Sequence, residues 1–412
     1  MTNPVFRHFF SRSHEKTRQT LLKIWQGSLR PVLKKVRGRM LSGLGYFLFM
    51  KTFVLVFFTK RFKLEPNSST ILLIFPDDYN SLGKNFNGGA KDIQSLHEQV
   101  DSLKLKSDHI CVSRFTSHAL AVLLNKANRQ RIFSASKIII SIPGKSGFIL
   151  LFLRLLGFSN VIFRSHNAEL LHRIDWLRNA KSIPVLIRAL KKMISGGFSD
   201  LWVSLFAERV WSVSELEMEK YWKRFFPWVS QRMLFFPGMS PSHIARSYSF
   251  EGIRLNERSF ATIVGGFQSG TVISQPDRQF LENGWLLRDY VHSLGLSLVS
   301  VGDRVSFDFC DLNLGLVENY EEILKNTSLI IVPSSVGWGF KTKISDAVTL
   351  HQSIILPRKQ YDRLGEWAQM VTPIDNWEEI STLVLKKIGS HEYEDFIETL
   401  RVRREMCLLD LA

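Results

Sequence analysis

The stretch SLIIVPSSVGWGFKTKISDAVTLHQSIILP, residues 328–357, reads as strand, glycine-bearing loop, helix and strand. Its two apolar runs, SLIIVP (328–333) and SIILP (353–357), are continuous rather than alternating, as strands buried on both faces are. KTKISDAVTLH between them is helical. A strand, a crossover helix and a second strand imply a parallel sheet covered by helices on both sides.

The same pattern extends towards the N-terminus. LSLVSVGD (296–303) and SFATIVGG (259–266) are strands, and DRQFLENGWLLRDYVHSLG (277–295) reads as one long amphipathic helix closed by Gly295. A separate series occupies the first half: ILLIF (71–75), HICVSRF (109–115), KIIISI (137–142), NVIFRS (160–165) and RVWSVS (209–214) as strands. KDIQSLHEQVDSL (91–103), FILLFLRLLG (148–157) and ELEMEKYWKRF (215–225) are the helices between or after them. WEEISTLVLKKI (377–388) and EDFIETLRVRREMCLLDL (394–411) end the chain as helices. The expected fold is α/β: two doubly wound, Rossmann-like domains facing a cleft, preceded by a basic and apolar helical extension. The expected divisions are 1–66 for the extension, 67–245 and 246–390 for the two domains, and 391–412 for a terminal helix packing back on the first domain.

In such folds ligands bind beyond the carboxyl ends of the strands. Four strand ends carry unusual residues. Gly337 and Gly339 follow a buried strand, and Lys341, Lys343 and Asp346 open the next helix. Glycines let the backbone approach a ligand, a helix N-terminus favours an anion, and lysines supply charge for a diphosphate. Asp346 lies three residues after Lys343, on the same helical face, where it can accept from sugar hydroxyls. Solvated lysines and a first-turn acid favoured by the dipole are the plain alternative. Gly265 and Gly266 form a second glycine turn, and Gly88 and Gly89 a third, each placed for backbone contact with an anion or sugar. At the end of the strand over 160–165 and just past it, Arg164, His166, Asn167 and Glu169 form a polar cluster able to bind a polyhydroxyl ligand. No metal-ligand spacing occurs; Asp308 and Asp311 are an isolated acidic pair.

The net charge of +16 is not spread evenly. Residues 1–70 hold 14 Lys/Arg against two acids, so the remaining body is nearly neutral. A nucleic-acid enzyme more often spreads its basic residues through folded clefts, which counts against a nucleic-acid partner. The basic arm runs into LSGLGYFLFMKTFVLVFFT (41–59), which as a helix spans about 28 Å. Lys51 near its middle costs about 3 kcal/mol in a crossing, and basic residues flank both ends. The expectation is therefore a peripheral or monotopic anchor, residues 1–63, on an anionic cytoplasmic leaflet, with a helix packed on the globular body as the alternative. The three cysteines, Cys111, Cys310 and Cys407, are far apart and fit a reducing compartment.

Together these motifs resemble the retaining, nucleotide-sugar-dependent glycosyltransferases of the family 4 type, which have the GT-B fold. The resemblance covers residues 68–390 and rests on NGGA (87–90), Arg-Ser-His-Asn-Ala-Glu (164–169), WSVSELE (211–217) and GWGFKTKISDA (337–347). It implies transfer of a sugar from a nucleoside diphosphate sugar to a glycan or lipid-linked acceptor, with no cofactor and no required metal. It implies His166 and Glu169 as catalytic residues. Gly88, Gly89, Gly265, Gly266, Gly337, Gly339, Lys341, Lys343 and Asp346 would hold the donor, and Arg164, Asn167 and Glu215 the sugar or acceptor. Two departures stand out: Trp338 replaces a glutamate usual in the donor loop, and GGFQSG (265–270) lacks the usual basic residues. These departures also allow a catalytically silent scaffold at the membrane.

Overall fold

The computed structural model describes residues 70–76, 88–112, 116–142, 146–165, 168–239, 260–265, 274–302, 306–315, 317, 320–336, 338 and 342–410. The basic arm and the apolar segment expected at 41–59 lie outside them. In the first half the chain runs β1 (Ile71–Pro76), α1 (Gly88–Ser102), β2 (Ser107–Val112), α2 (Thr116–Leu124), α3 (Lys126–Ser134), β3 (Lys137–Ile140) and α4 (Ser146–Leu155). It continues through β4 (Val161–Ser165), α5 (Glu169–Arg178), α6 (Ile183–Phe206) and β5 (Arg209–Ser212). A helical stretch over 215–225 with a π turn, and a 3-10 turn (Pro227–Arg232), lead to β6 (Met233–Phe235). These strands form one six-stranded sheet, order β2-β1-β3-β4-β5-β6, parallel throughout.

The second half has β7 (Phe260–Val264), α7 (Gln275–Glu282), α8 (Gly284–Ser293), β8 (Ser297–Val301), β9 (Leu312–Gly315), α9 (Tyr320–Lys325) and β10 (Thr327–Ile331). It ends with α10 (Thr342–Thr349), β11 (Ser353–Pro357), α11 (Arg358–Tyr361), β12 (Thr372–Ile374) and α12 (Ser390–Leu409). Its sheet is again six parallel strands, order β12-β11-β10-β7-β8-β9.

Alternate side chains explain why every central strand reads as continuously apolar. Along β1, Leu72 and Ile74 enter one core while Ile71, Leu73 and Phe75 enter another, so both faces are covered. Along β10 and β11, Ile330, Ile354 and Leu356 face one layer, and Leu329, Ile331 and Ile355 the other. α12 serves both halves. Tyr393, Phe396 and Leu400 enter the second half's core, and Leu408 enters the first half's. Between them on the same stripe Arg404 is fully buried and donates to Ser95 Oγ at 2.9 Å.

Two expected helices are corrected. The helix expected over 277–295 breaks at Asn283 (φ −105°, ψ 19°). There Asn283 Nδ2 donates back to Gln279 O at 2.9 Å, and Gly284 lies so close to the Phe309 ring that a Cβ would meet it at 2.1 Å. The segment 377–388 is helical only as a 3-10 turn, Trp377–Thr382. Beyond it, Leu383 and Leu385 pack inwards while Val384 is exposed, a period of two rather than 3.6. Among the described residues no helix is long and apolar enough to cross a membrane.

Arg164 on β4 is fully buried, and its guanidinium grips Asp92 of α1 at both oxygens, Nε to Oδ2 at 2.8 Å and Nη2 to Oδ1 at 2.7 Å. A third donor reaches Phe236 O at 3.1 Å. Such a pair stays neutral in cost only while both partners remain. We expect Asp92→Ala to lower unfolding stability by about 3–5 kcal/mol, because the Arg164 charge would be left buried alone. The double variant Asp92→Leu with Arg164→Met should recover much of that loss. Urea denaturation measures both; a cost below about 1 kcal/mol for the single change would contradict this structural role.

Candidate functional site

Strand order locates where a ligand can enter. In the first sheet the connection reverses between β1 and β3, and in the second between β7 and β10. At such switch points the loops diverge and open a crevice beyond the strand ends. At the second, β7 ends in Gly265 with φ +75°, a conformation that favours glycine. A Cβ there would lie 2.5 Å from Lys343 Nζ. Lys343, near the start of α10, donates to Val264 O at 2.7 Å, so its ammonium is fixed at the end of β7. Asp346, one turn further along α10, is buried. The structure therefore brings Gly265, Lys343 and the first turn of α10 together at the β7/β10 switch, and α10 also packs against α1, which opens with Gly88 and Gly89.

The loop following β10 is held by a contact between residues 58 positions apart. The buried Asp277 carboxylate accepts from Ser274 N and Ser335 N, each at 2.8 Å, while the Ser274 and Ser335 hydroxyls meet at 2.5 Å. Ser335 O in turn accepts from Arg363 Nη1 at 3.2 Å. This ties the β10 loop to the N-terminus of α7. A capping Ser274 with Asp277 three residues later is legible as a helix start; the partner across the loop is not.

From there the contacts cross to the first half. Asp175 on α5 is buried and accepts from Arg363 Nη1 at 3.0 Å and Lys359 Nζ at 3.1 Å. The Arg363 guanidinium also lies over the Trp338 ring, 4.8 Å from its centroid. Trp338 N donates to His172 Nδ1 at 3.1 Å, which assigns the neutral His172 ring a proton on Nε2. The Trp338 indole packs against the first half's core. Trp338 thus joins the two halves, at the position where the resemblance led one to expect an acid.

The other expected residues divide as follows. Glu169 is the first residue of α5, just past β4, and Glu215 opens the helical stretch past β5. His166, Asn167, Gly266, Gly337, Gly339 and Lys341 lie outside the described residues. The expectation that Arg164 contacts a sugar is corrected by its burial and its pairing with Asp92. Glu215 pairs with Arg403 of α12 at 2.7 Å, and its backbone N donates to Glu366 Oε2 at 3.4 Å. Asp311 is also structural: it accepts from Arg288 Nε at 3.0 Å and Leu298 N at 2.7 Å. No cluster able to hold a metal ion occurs among the described residues. A groove of about 430 Å³ beside Glu366, Lys386, Glu392 and Arg403 contains none of the expected site residues in its lining.

Burial pushes the Glu366 carboxyl up to about 7 from its ordinary 4.5, with the neighbouring Glu215 charge acting in the same direction. A raised carboxyl favours the folded state below the unfolded value, and that contribution is lost as pH rises through about 7. Glu366→Gln is neutral at every pH and keeps an acceptor for Glu215 N. The variant should match the parent's melting temperature near pH 4.5 and exceed it increasingly up to pH 8. Equal melting temperatures across that range would contradict the buried-acid assignment.

No protein-family model matches the sequence, and no curated protein is a significant match. Among solved structures, the chain is similar to an α,α-trehalose-phosphate synthase (UDP-forming) from Burkholderia vietnamiensis. The TM-score is 0.51, with 11% identity over 84% of this chain and 97% of that one. It also matches HepE from Anabaena, solved in complex with UDP (TM-score 0.43, 11% identity, 82% and 94% covered). An E. coli trehalose-6-phosphate protein bound with UDP-2-fluoro glucose is a further match (TM-score 0.46, 10% identity, 83% and 99% covered). Identities this low speak to the fold. With two parallel six-stranded sheets of doubly wound topology, joined through Asp175, the chain has the GT-B fold.

Proposed function

We propose that this chain is a glycosyltransferase that takes a sugar from a nucleoside diphosphate sugar and passes it to a glycan or lipid-linked acceptor with retention of configuration. The observation that carries the reading is Lys343, whose ammonium is fixed beyond β7 at the switch point, beside the start of α10. The UDP-forming synthase of the same fold favours a uridine nucleotide as the donor carrier.

The chemistry follows from that placement. As the glycosidic bond breaks, the leaving diphosphate gains negative charge, and the Lys343 ammonium and the helix start favour that charged state over the ground state. Gly265 lets the backbone come close to the phosphates. His166 and Glu169 are proposed to act on the sugar from across the crevice, at the end of β4, with Asn167 and Glu215 towards the acceptor. Gly88, Gly89, Gly266, Gly337, Gly339 and Lys341 complete the proposed donor contacts, and Asp346 the ribose end. Lysine and helix amides supply the positive charge, so the proposal calls on no metal. Residues 1–63 are proposed to tether the enzyme to an anionic cytoplasmic leaflet.

Trp338 favours a second reading. Its indole and backbone N–H bridge the halves where an acid would face the sugar, as suits a GT-B scaffold that binds nucleotide without turnover.

Calorimetry with UDP and GDP, followed by a transfer or donor-hydrolysis assay, tests both. A charge-assisted hydrogen bond to phosphate contributes about 1.5–3 kcal/mol, so Lys343→Ala should weaken nucleoside diphosphate binding roughly 10- to 150-fold. If the parent binds neither nucleotide, the glycosyltransferase reading falls; binding without turnover selects the scaffold. Deleting residues 1–63 should lower the membrane-bound fraction of the protein while leaving nucleotide affinity unchanged. A full-length chain that is already wholly soluble at low salt contradicts the tether.

A further inference from the structure

α6 is a helix turned inside out. Over its 24 residues the buried face carries Ala189, Gly196, Ser199, Asp200, Val203 and Ser204, which are mostly small or polar. These let it pack closely on its neighbours; Gly147 N of α4 donates to Ser199 Oγ at 3.0 Å. The large apolar residues stand on the opposite side, with Ile183 72%, Ile194 51% and Phe198 53% exposed. Ile187, Leu190 and Leu205 fall on the same arc, at spacings of three, four and seven residues. The stripe runs along a helix about 36 Å long. At its C-terminal end Trp228, half exposed, donates its indole N–H to Ser204 Oγ at 3.2 Å and extends the apolar surface.

Charge says what covers this stripe. Residues 170–207 contain six Lys/Arg and two acids. Both acids are buried and committed: Asp175 to Lys359 and Arg363, and Asp200 to the Tyr221 hydroxyl. Arg188, Lys191 and Lys192 are exposed on α6 itself. A second copy would bring the same cations against its own, and residues 1–40 are strongly basic as well. An apolar strip on a helix that carries exposed cations and no exposed acid matches an anionic lipid surface, where acyl chains take the apolar residues and headgroups take the charges.

We propose that the outer face of α6 docks flat on an anionic membrane surface, as a contact separate from residues 1–63. The test uses the full-length chain with Cys111, Cys310 and Cys407 replaced by serine and an environment-sensitive fluorophore on Ile194→Cys. Vesicles are either equimolar phosphatidylglycerol and phosphatidylcholine, or phosphatidylcholine alone. The expected result is a blue shift with the anionic vesicles and little with the neutral ones. In a lipid titration of the unlabelled chain, Ile187→Ser/Ile194→Ser/Phe198→Ser should lower the partition coefficient at least about tenfold. Circular dichroism checks that this variant is folded. Co-sedimentation without a shift at residue 194 would overturn the proposal while leaving the arm as the tether. An equal shift with both vesicle types would overturn the choice of an anionic partner. A dimer that the triple variant dissociates would assign the stripe to a second copy instead.

Discussion

One buried carboxylate sets how the two halves face each other. Asp175 belongs to α5 of the first half, yet the cations that neutralise it, Lys359 and Arg363, follow β11 in the second. A carboxylate out of water is tolerated only with such partners, so the pairing constrains the position of the whole second sheet. Arg363 then acts on three groups at once: it pairs with Asp175, donates to Ser335 O and lies over Trp338. Ser335 is fixed to Asp277 and Ser274, so the loop beyond β10 takes its shape from the same chain of contacts. α12 adds a second strap, with its apolar stripe in both cores and Arg403 on Glu215.

Much of this architecture is legible in the sequence because parallel strands covered on both faces leave a strong trace. ILLIF, KIIISI, SLIIVP and SIILP each emerge as strands within a few residues of their observed bounds. Failures occur where a local pattern is overridden from a distance. The helix over 277–295 has a sound amphipathic pattern, but Phe309 occupies the space beside Gly284 and the chain breaks there. α6 is hard to read for the opposite reason: its apolar period is real, but its large residues face outwards and its core side carries Ala, Gly, Ser and Asp with a single Val.

The candidate site was legible only in part, and the reason is again range. Lys343 and Gly265 stand out as strand-end residues, but the sequence separation of 79 between Lys343 and Val264 hides their contact. Arg164 looks like a ligand group because it stands at the end of a buried strand. Alternation along β4 instead turns its side chain into the layer beneath α1, where Asp92 is waiting. Trp338 was visible as a replaced acid; its seat against the first half's core, with His172 accepting its N–H, needed the fold. The structure thus fixes a cation at the end of β7 and, separately, an aromatic bridge between the two halves.

The central claim is that the β7/β10 switch point is a nucleoside diphosphate site. Amide hydrogen exchange of the full-length chain, with and without saturating UDP, tests it most directly, because it reports where the nucleotide acts. The account predicts slowed exchange in peptides covering 260–265 and 342–349, at the end of β7 and along α10. Unchanged exchange in both peptides, with slowing elsewhere or nowhere, would contradict it.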